Sequence, residues 1–300
     1  MTSILNGLIL WSKAVLPALL PFFFLSKMLT ELGSVKYFSL YFEKLTKKLF
    51  KVDGIGSYAF IMSIFSGYPV GAKVTCELYE NGLICRNDMF KLCSFCSTSG
   101  PLFIIGTVGV GMLFSKTAGL IIFVCHFIGA ILNGILWRNY NCSKNDIYKD
   151  NNVHKTEIRD DLLSYAVSNS VISVAVVGGY IALFCMFVDI GINTGLLKIF
   201  AEIIAYPMQL LNISSDYSLA FVTGLVEITR GSLEISKVAL SSDFMIILIS
   251  TLIAFGGIST HLQSLAFLGK HRVPYKFILS NKITQAILTG VITYVATVFI

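Results

Sequence analysis

Apolar residues in this chain gather into long blocks, without the amphipathic alternation of a soluble fold. A helix needs about 20 apolar residues to cross a bilayer core. Four blocks meet that length plainly: roughly 4–32, 117–137, 162–190 and 277–300. The regions 54–113 and 212–269 are just as apolar but interrupted. Ser66-Gly67-Tyr68-Pro69 and Ser99-Gly100-Pro101 interrupt the first; Thr223-Gly224 and Gly256-Gly257 interrupt the second. Pro and Gly at this density end helices. Irregular backbone at membrane depth survives only where protein or a wet cavity surrounds it. The four breaks are therefore where a polar site is expected.

Composition points the same way. The chain is 55% hydrophobic and 13% charged, with a mean hydropathy of +0.76, against about 25% charged in soluble domains. The fold class expected is an all-α polytopic membrane protein. Lys13, Pro17, Pro21 and Lys27 interrupt the first block, so it reads as a retained span and not as a cleaved signal.

The net charge of +6 sits in short clusters beside the spans. These are 36–51 (Lys36, Lys44, Lys47, Lys48, Lys51), 138–159 (Arg138, Lys144, Lys149, Lys155, Arg159) and 270–276 (Lys270, Arg272, Lys276). That distribution is a topology signal and excludes a nucleic-acid patch. The positive-inside rule puts all three clusters in the cytoplasm and both termini outside a multi-pass cell-membrane protein. The crossings then close if each half has a re-entrant hairpin (about 55–80 and 213–238) followed by a broken span (about 88–113 and 244–269). The stretch 36–50 is too charged to cross and is expected in the interface. Its counterpart 194–210 is expected on the outer face.

The halves match at an offset of 157 residues, as from Gly67 to Gly224. At that offset Ser66 meets Thr223, Lys73 meets Arg230, Thr75 meets Ser232, Glu77 meets Glu234 and Gly100 meets Gly257. Matches at break glycines and charges indicate two repeats, 1–140 and 161–300, joined by a cytoplasmic linker, 141–160. The topology makes them inverted, an arrangement that puts a solute site between broken helices near the midplane.

Candidate chemistry follows the breaks. In 66–73, Gly67 and Gly71 let the backbone approach closely, and Tyr68 sits between the bends. Pro69 can open the next half-helix, whose free N–H groups favour anions. Lys73 adds a positive charge there, for a carboxylate, a phosphate or a polar base. Alternatively Lys73 pairs with Glu77 one turn on, as Arg230 would with Glu234. The mirror stretch holds Gly224, Glu227, Thr229 and Arg230. Glu227 stands where the first half has Val70 and is the leading ligand-facing carboxylate; the alternative is an ion pair with Lys73 or Arg230. At the second breaks, Ser97, Thr98, Ser99 and Gly100 face Gly256, Gly257, Ser259, His261 and Gln263 as hydroxyl and carbonyl ligands. His261 is either a proton carrier or an interhelical hydrogen bond, and His126 only the latter.

No G-x-x-x-x-G-K-[ST], H-E-x-x-H or G-x-S-x-G is present. Cys93 and Cys96 form a lone C-x-x-C that reads as small buried hydrophobes. No catalytic residue, metal ligand or cofactor is assigned. The expected partners are the bilayer and a small polar solute, with a second copy of the chain a further candidate.

Four stretches carry a family resemblance: Phe65 to Lys73 (FSGYPVGAK), Ser99 to Gly109 (SGPLFIIGTVG), Gly224 to Gly231 (GLVEITRG) and Phe255 to Ser259 (FGGIS). They resemble the YlbJ family of sporulation integral membrane proteins, within the larger group with nucleoside-recognition, or Gate, domains. The resemblance implies a Gate-type fold in a sporulation protein; the paired breaks and the intramembrane Lys73, Glu227 and Arg230 point to a secondary transporter or gated permease for a small polar solute, nucleoside-like solutes among them. The competing expectation is a non-transporting scaffold for spore-envelope assembly.

Overall fold

The computed structural model describes residues 2–140, 160–210, 214–238 and 243–299. The basic cluster from Lys144 to Arg159, and with it nearly all of the expected linker, lies outside the described residues. Those described form helices and short connections, with no strand among them.

The first block is not one straight span. Helix α1 (Thr2–Leu10) and α2 (Leu16–Glu31) flank a π-helical turn, Trp11–Val15, and the pair is bent by 59°. Pro17 in the first turn of α2 and Pro21 inside it each withhold a backbone donor, which is where helices kink. Next comes the amphipathic α3 (Val35–Phe50), which buries Thr46 and Phe50 and leaves Tyr37, Leu40, Tyr41 and Leu45 exposed. A short pair follows, α4 (Gly56–Ser66) and α5 (Val70–Glu80), then α6 (Arg86–Phe95), a π-helix (Leu102–Met112) and the span α7 (Lys116–Trp137).

The second half gives the same order. Span α8 (Leu162–Asn193) precedes the amphipathic α9 (Leu196–Leu210), the short pair α10 (Asp216–Val226) and α11 (Ile228–Val238), the interrupted α12 (Asp243–Phe255) and α13 (Gly257–Leu268), and span α14 (Tyr275–Phe299). Helices α7, α8 and α14, and the 29-residue stretch Asp243–His271, are each long and apolar enough to cross a membrane.

The breaks fall where expected, with one correction. Thr223 and Gly224 do not end a helix: α10 runs on to Val226, and the chain turns at Glu227 (φ −136°, ψ 112°). Gly224 is small for packing. A Cβ on it would meet the Leu252 side chain at 2.5 Å, and a Cβ on Gly231 would fall on the Gly224 backbone. The offset pairs still meet alike in each half. A Cβ on Gly67 would lie 2.6 Å from the Gly100 nitrogen, and one on Gly257 would lie 3.0 Å from the Gly224 carbonyl. In both halves the hairpin glycine stands against the glycine of the second break.

Candidate functional site

All four breaks meet at one cavity. Its polar lining is Tyr68, Ser99, Glu227, Thr229, Thr260 and Gln263, with Gly67 and Gly100 supplying bare backbone. Apolar walls come from Val15 and Leu19 of the bent first segment, Phe103 of the π-helix, Val177 and Ile181 of α8, and Ile228. About 50 Å³ is open to the centres of water-sized molecules, room for a few waters.

Glu227 is 1% exposed and sits at the turn between α10 and α11. Its Oε2 accepts the Arg230 backbone N–H at 2.7 Å, which caps α11, and the Thr229 N–H and hydroxyl bond it as well. Among the described residues it makes no ion pair, so the expected pairing with Lys73 or the Arg230 side chain is not formed. The carboxylate is held by neutral donors and faces the cavity.

The other breaks have their polar groups largely satisfied by side chains, as buried backbone requires. Ser99 N–H donates to His126 Nε2 at 3.1 Å. Thr98 Oγ1 donates to the Ser63 carbonyl at 2.8 Å. The Thr260 hydroxyl donates to the Gly256 carbonyl, and Gln263 Nε2 donates to Ser259 Oγ at 3.3 Å. His261 donates from Nε2 to the Phe255 carbonyl at 2.7 Å and meets the Tyr275 hydroxyl at 3.4 Å. It is thus an internal brace of its break and does not line the cavity, and the same holds for Ser97, Thr98, Gly256, Gly257 and Ser259. Pro69, Gly71 and Gly224 lie behind the lining too.

Lys73 and Arg230 also point elsewhere. Lys73 Nζ bonds Asn169 Oδ1, and Ser173 Oγ at 3.0 Å, both on α8. The expected Lys73–Glu77 pair is not formed; Lys27 takes Glu77 at 3.5 Å and Glu31 at 2.9 Å. Arg230 does pair with Glu234 at 2.8 Å, and adds Asp189 at 2.6 Å and the Cys185 carbonyl at 3.2 Å, again on α8. Arg230→Ala would leave two carboxylates facing each other on a half-buried surface. It is expected to lower stability by about 1–3 kcal/mol, read as a fall in Tm in detergent, with Arg230→Lys recovering part of the loss.

A buried lysine was also missed from the sequence. Lys282, 2% exposed in the first third of α14, donates to the Tyr68 hydroxyl at 3.0 Å, to Gln285 Oε1 at 2.8 Å and to the Ser97 carbonyl. A lysine inside an apolar span is a functional signal in its own right. Block 277–300 is apolar enough to hide it.

No protein-family model matches the chain. The sporulation integral membrane protein YlbJ of Bacillus subtilis (strain 168) is 28% identical over 307 residues, covering 95% of this chain and 74% of that protein. Among solved structures, the concentrative nucleoside transporter CNTnw in an inward-facing substrate-bound state aligns with a TM-score of 0.55. That alignment has 15% identity and covers 95% of this chain and 75% of that one. A single-residue variant of the same protein in its intermediate 1 state gives 0.50, at 13% identity over 94% of this chain and 76% of that one. At such identities the likeness is one of fold. The chain is an integral membrane protein with a transporter-like helical fold, and the YlbJ match bears out the family resemblance that its four motifs carry.

Proposed function

We propose that the protein is a secondary transporter or gated permease acting in sporulation, and that it binds a small polar solute in the cavity between the four breaks. The convergence of all four breaks on that cavity carries the reading. The lining also narrows the solute. It holds one carboxylate and no cation, because Lys73 and Arg230 are engaged with α8. An anion would face Glu227 without a counter-charge, a costly arrangement away from water. A neutral or cationic solute carrying hydroxyl or amino donors fits, and the apolar walls suit a flat ring; nucleosides combine both features. Since the cavity has space for only a few waters, entry requires its walls to part.

In this reading residues 1–140 and 161–300 are inverted copies. Supporting it, α5 and α11 meet α8 at Asn169 and Cys185, sixteen residues or about 24 Å apart along the helix. Equivalent charged helices thus reach the same span at opposite levels. Both termini then lie outside, as the charge clusters at 36–51 and 270–276 require.

A thermal-shift screen on the detergent-solubilised chain tests the solute class. Nucleosides and other neutral hydroxylated metabolites are expected to raise Tm; a ligand at 100 times its Kd adds about 2.7 kcal/mol. Phosphorylated counterparts should not. Stabilisation by the anions alone would overturn the assignment. If no solute is taken up into liposomes, and Lys73→Ala, Glu227→Ala and Arg230→Ala together leave sporulation intact, the scaffold is the better account.

A further inference from the structure

Lys282 lies outside the solute cavity, just behind its wall. Tyr68 is shared: the tyrosine lines the cavity, and its hydroxyl also receives the Lys282 ammonium at 3.0 Å. The lysine therefore touches the tip of the first hairpin, the second break of the first half and its own span together.

Its surroundings are unusual for a buried lysine. Among the described residues no carboxylate lies within ion-pairing distance. The three acceptors are neutral oxygens: a hydroxyl, a side-chain amide and the Ser97 carbonyl. That carbonyl lies in the irregular stretch after α6 ends at Phe95. An apolar residue at this place in α14 would avoid the cost of burying a charge without a counter-ion. It would also leave the Ser97 carbonyl without its donor. An unwound carbonyl together with neutral side-chain oxygens is the kind of donor set that broken-helix transporters present to a dissolved monovalent cation.

We propose that Lys282 is a built-in cation: its ammonium fills a monovalent-cation position formed by Ser97, Tyr68 and Gln285, so the protein locks its first hairpin to the second break of the same half without taking up a metal ion. The inference deepens the transporter reading given above. The group at that position is tethered to α14 and always present in this chain, whereas a dissolved ion would come and go with concentration. Solute binding and uptake are then independent of Na+ and K+.

The test needs no solute, so its failure would remove this role from Lys282 and leave the solute cavity and Glu227 standing. Tm of the full chain in detergent is measured in NaCl, KCl and choline chloride at equal ionic strength, for wild type, Lys282→Ala and Lys282→Met. Wild type is expected to give one Tm in all three salts. Lys282→Ala is expected to melt lower, and to regain at least half of the loss in ethylammonium chloride but not in tetramethylammonium chloride, which has charge without N–H donors. Lys282→Met, whose side chain fills the space, should melt lower and not respond. A wild-type Tm raised by Na+ or K+ over choline overturns the proposal, and that arm decides even if neither variant folds. So does a Lys282→Met protein as stable as wild type, or a Lys282→Ala protein rescued by neither ammonium ion or by both equally.

Discussion

Glu227→Gln is expected to cut solute binding and uptake by about 2- to 30-fold while leaving the fold intact. A hydrogen bond to a charged group contributes about 1.5–3 kcal/mol, against about 1 kcal/mol for a neutral one. The design of the variant matters, because Glu227 has two tasks. Its Oε2 caps α11 through the Arg230 N–H, and its charge faces the cavity. Gln keeps one acceptor oxygen for the cap, loses the charge and turns the other oxygen into an N–H donor. Glu227→Ala loses both, and its missing cap should cost about 1 kcal/mol of stability as well. Equal Tm for wild type and Glu227→Gln, with uptake lost only in the variant, would assign the charge to the solute. Unchanged uptake would reduce Glu227 to a cap.

The second large effect is structural. In Gly71→Ala the new Cβ would fall on the Cys96 carbonyl oxygen and lie 2.7 Å from Ser63 Cβ. The first hairpin could then no longer seat against the second break of its half. Overpacking of a filled core costs about 1–3 kcal/mol, and a backbone oxygen cannot swing aside as a side chain can. A loss at or above the upper end of that range is expected, seen as a steep fall in Tm or in yield of folded protein. Gly179→Ala supplies the control: it lies within α8 with nothing near its Cβ position. There the better helix former should stabilise by about 0.5–1 kcal/mol.

Glycine and proline punctuation made the architecture readable. The turn at Gly67 to Pro69 and the interruption at Gly256 stand where the sequence placed them, because few residues besides glycine accept the backbone found there. The shared order of elements in the two halves was readable for a related reason. The 157-residue offset pairs glycines whose bare backbones touch in both halves. Glycine serves packing as well as breaks, however, and that ambiguity hid the role of Gly224. The partners of charged side chains were the least legible part. Lys73 looked paired with Glu77 one turn away, yet its acceptors are Asn169 and Ser173, about a hundred positions along the chain. Only tertiary packing decides which of several nearby partners a long side chain takes. Lys282 went unread because one charge barely shifts the hydropathy of a 25-residue span. Of the cavity lining, the polar residues at breaks were foreseen, apart from Thr260. The apolar walls were not, since Val15, Val177 and Ile181 carry no mark that separates them from lipid-facing neighbours.

The seating of Lys73 on α8 also fastens the two halves of the chain to each other. Its acceptors Asn169 and Ser173 belong to the second half, whereas Arg230 finds Cys185, Asp189 and Glu234 within its own half. The dependence also runs the other way, since Lys282 on α14 takes Tyr68 and Ser97 of the first half. Each half thus carries a lysine with acceptors that the other half supplies, so cutting the chain between them would strand a cation on both sides.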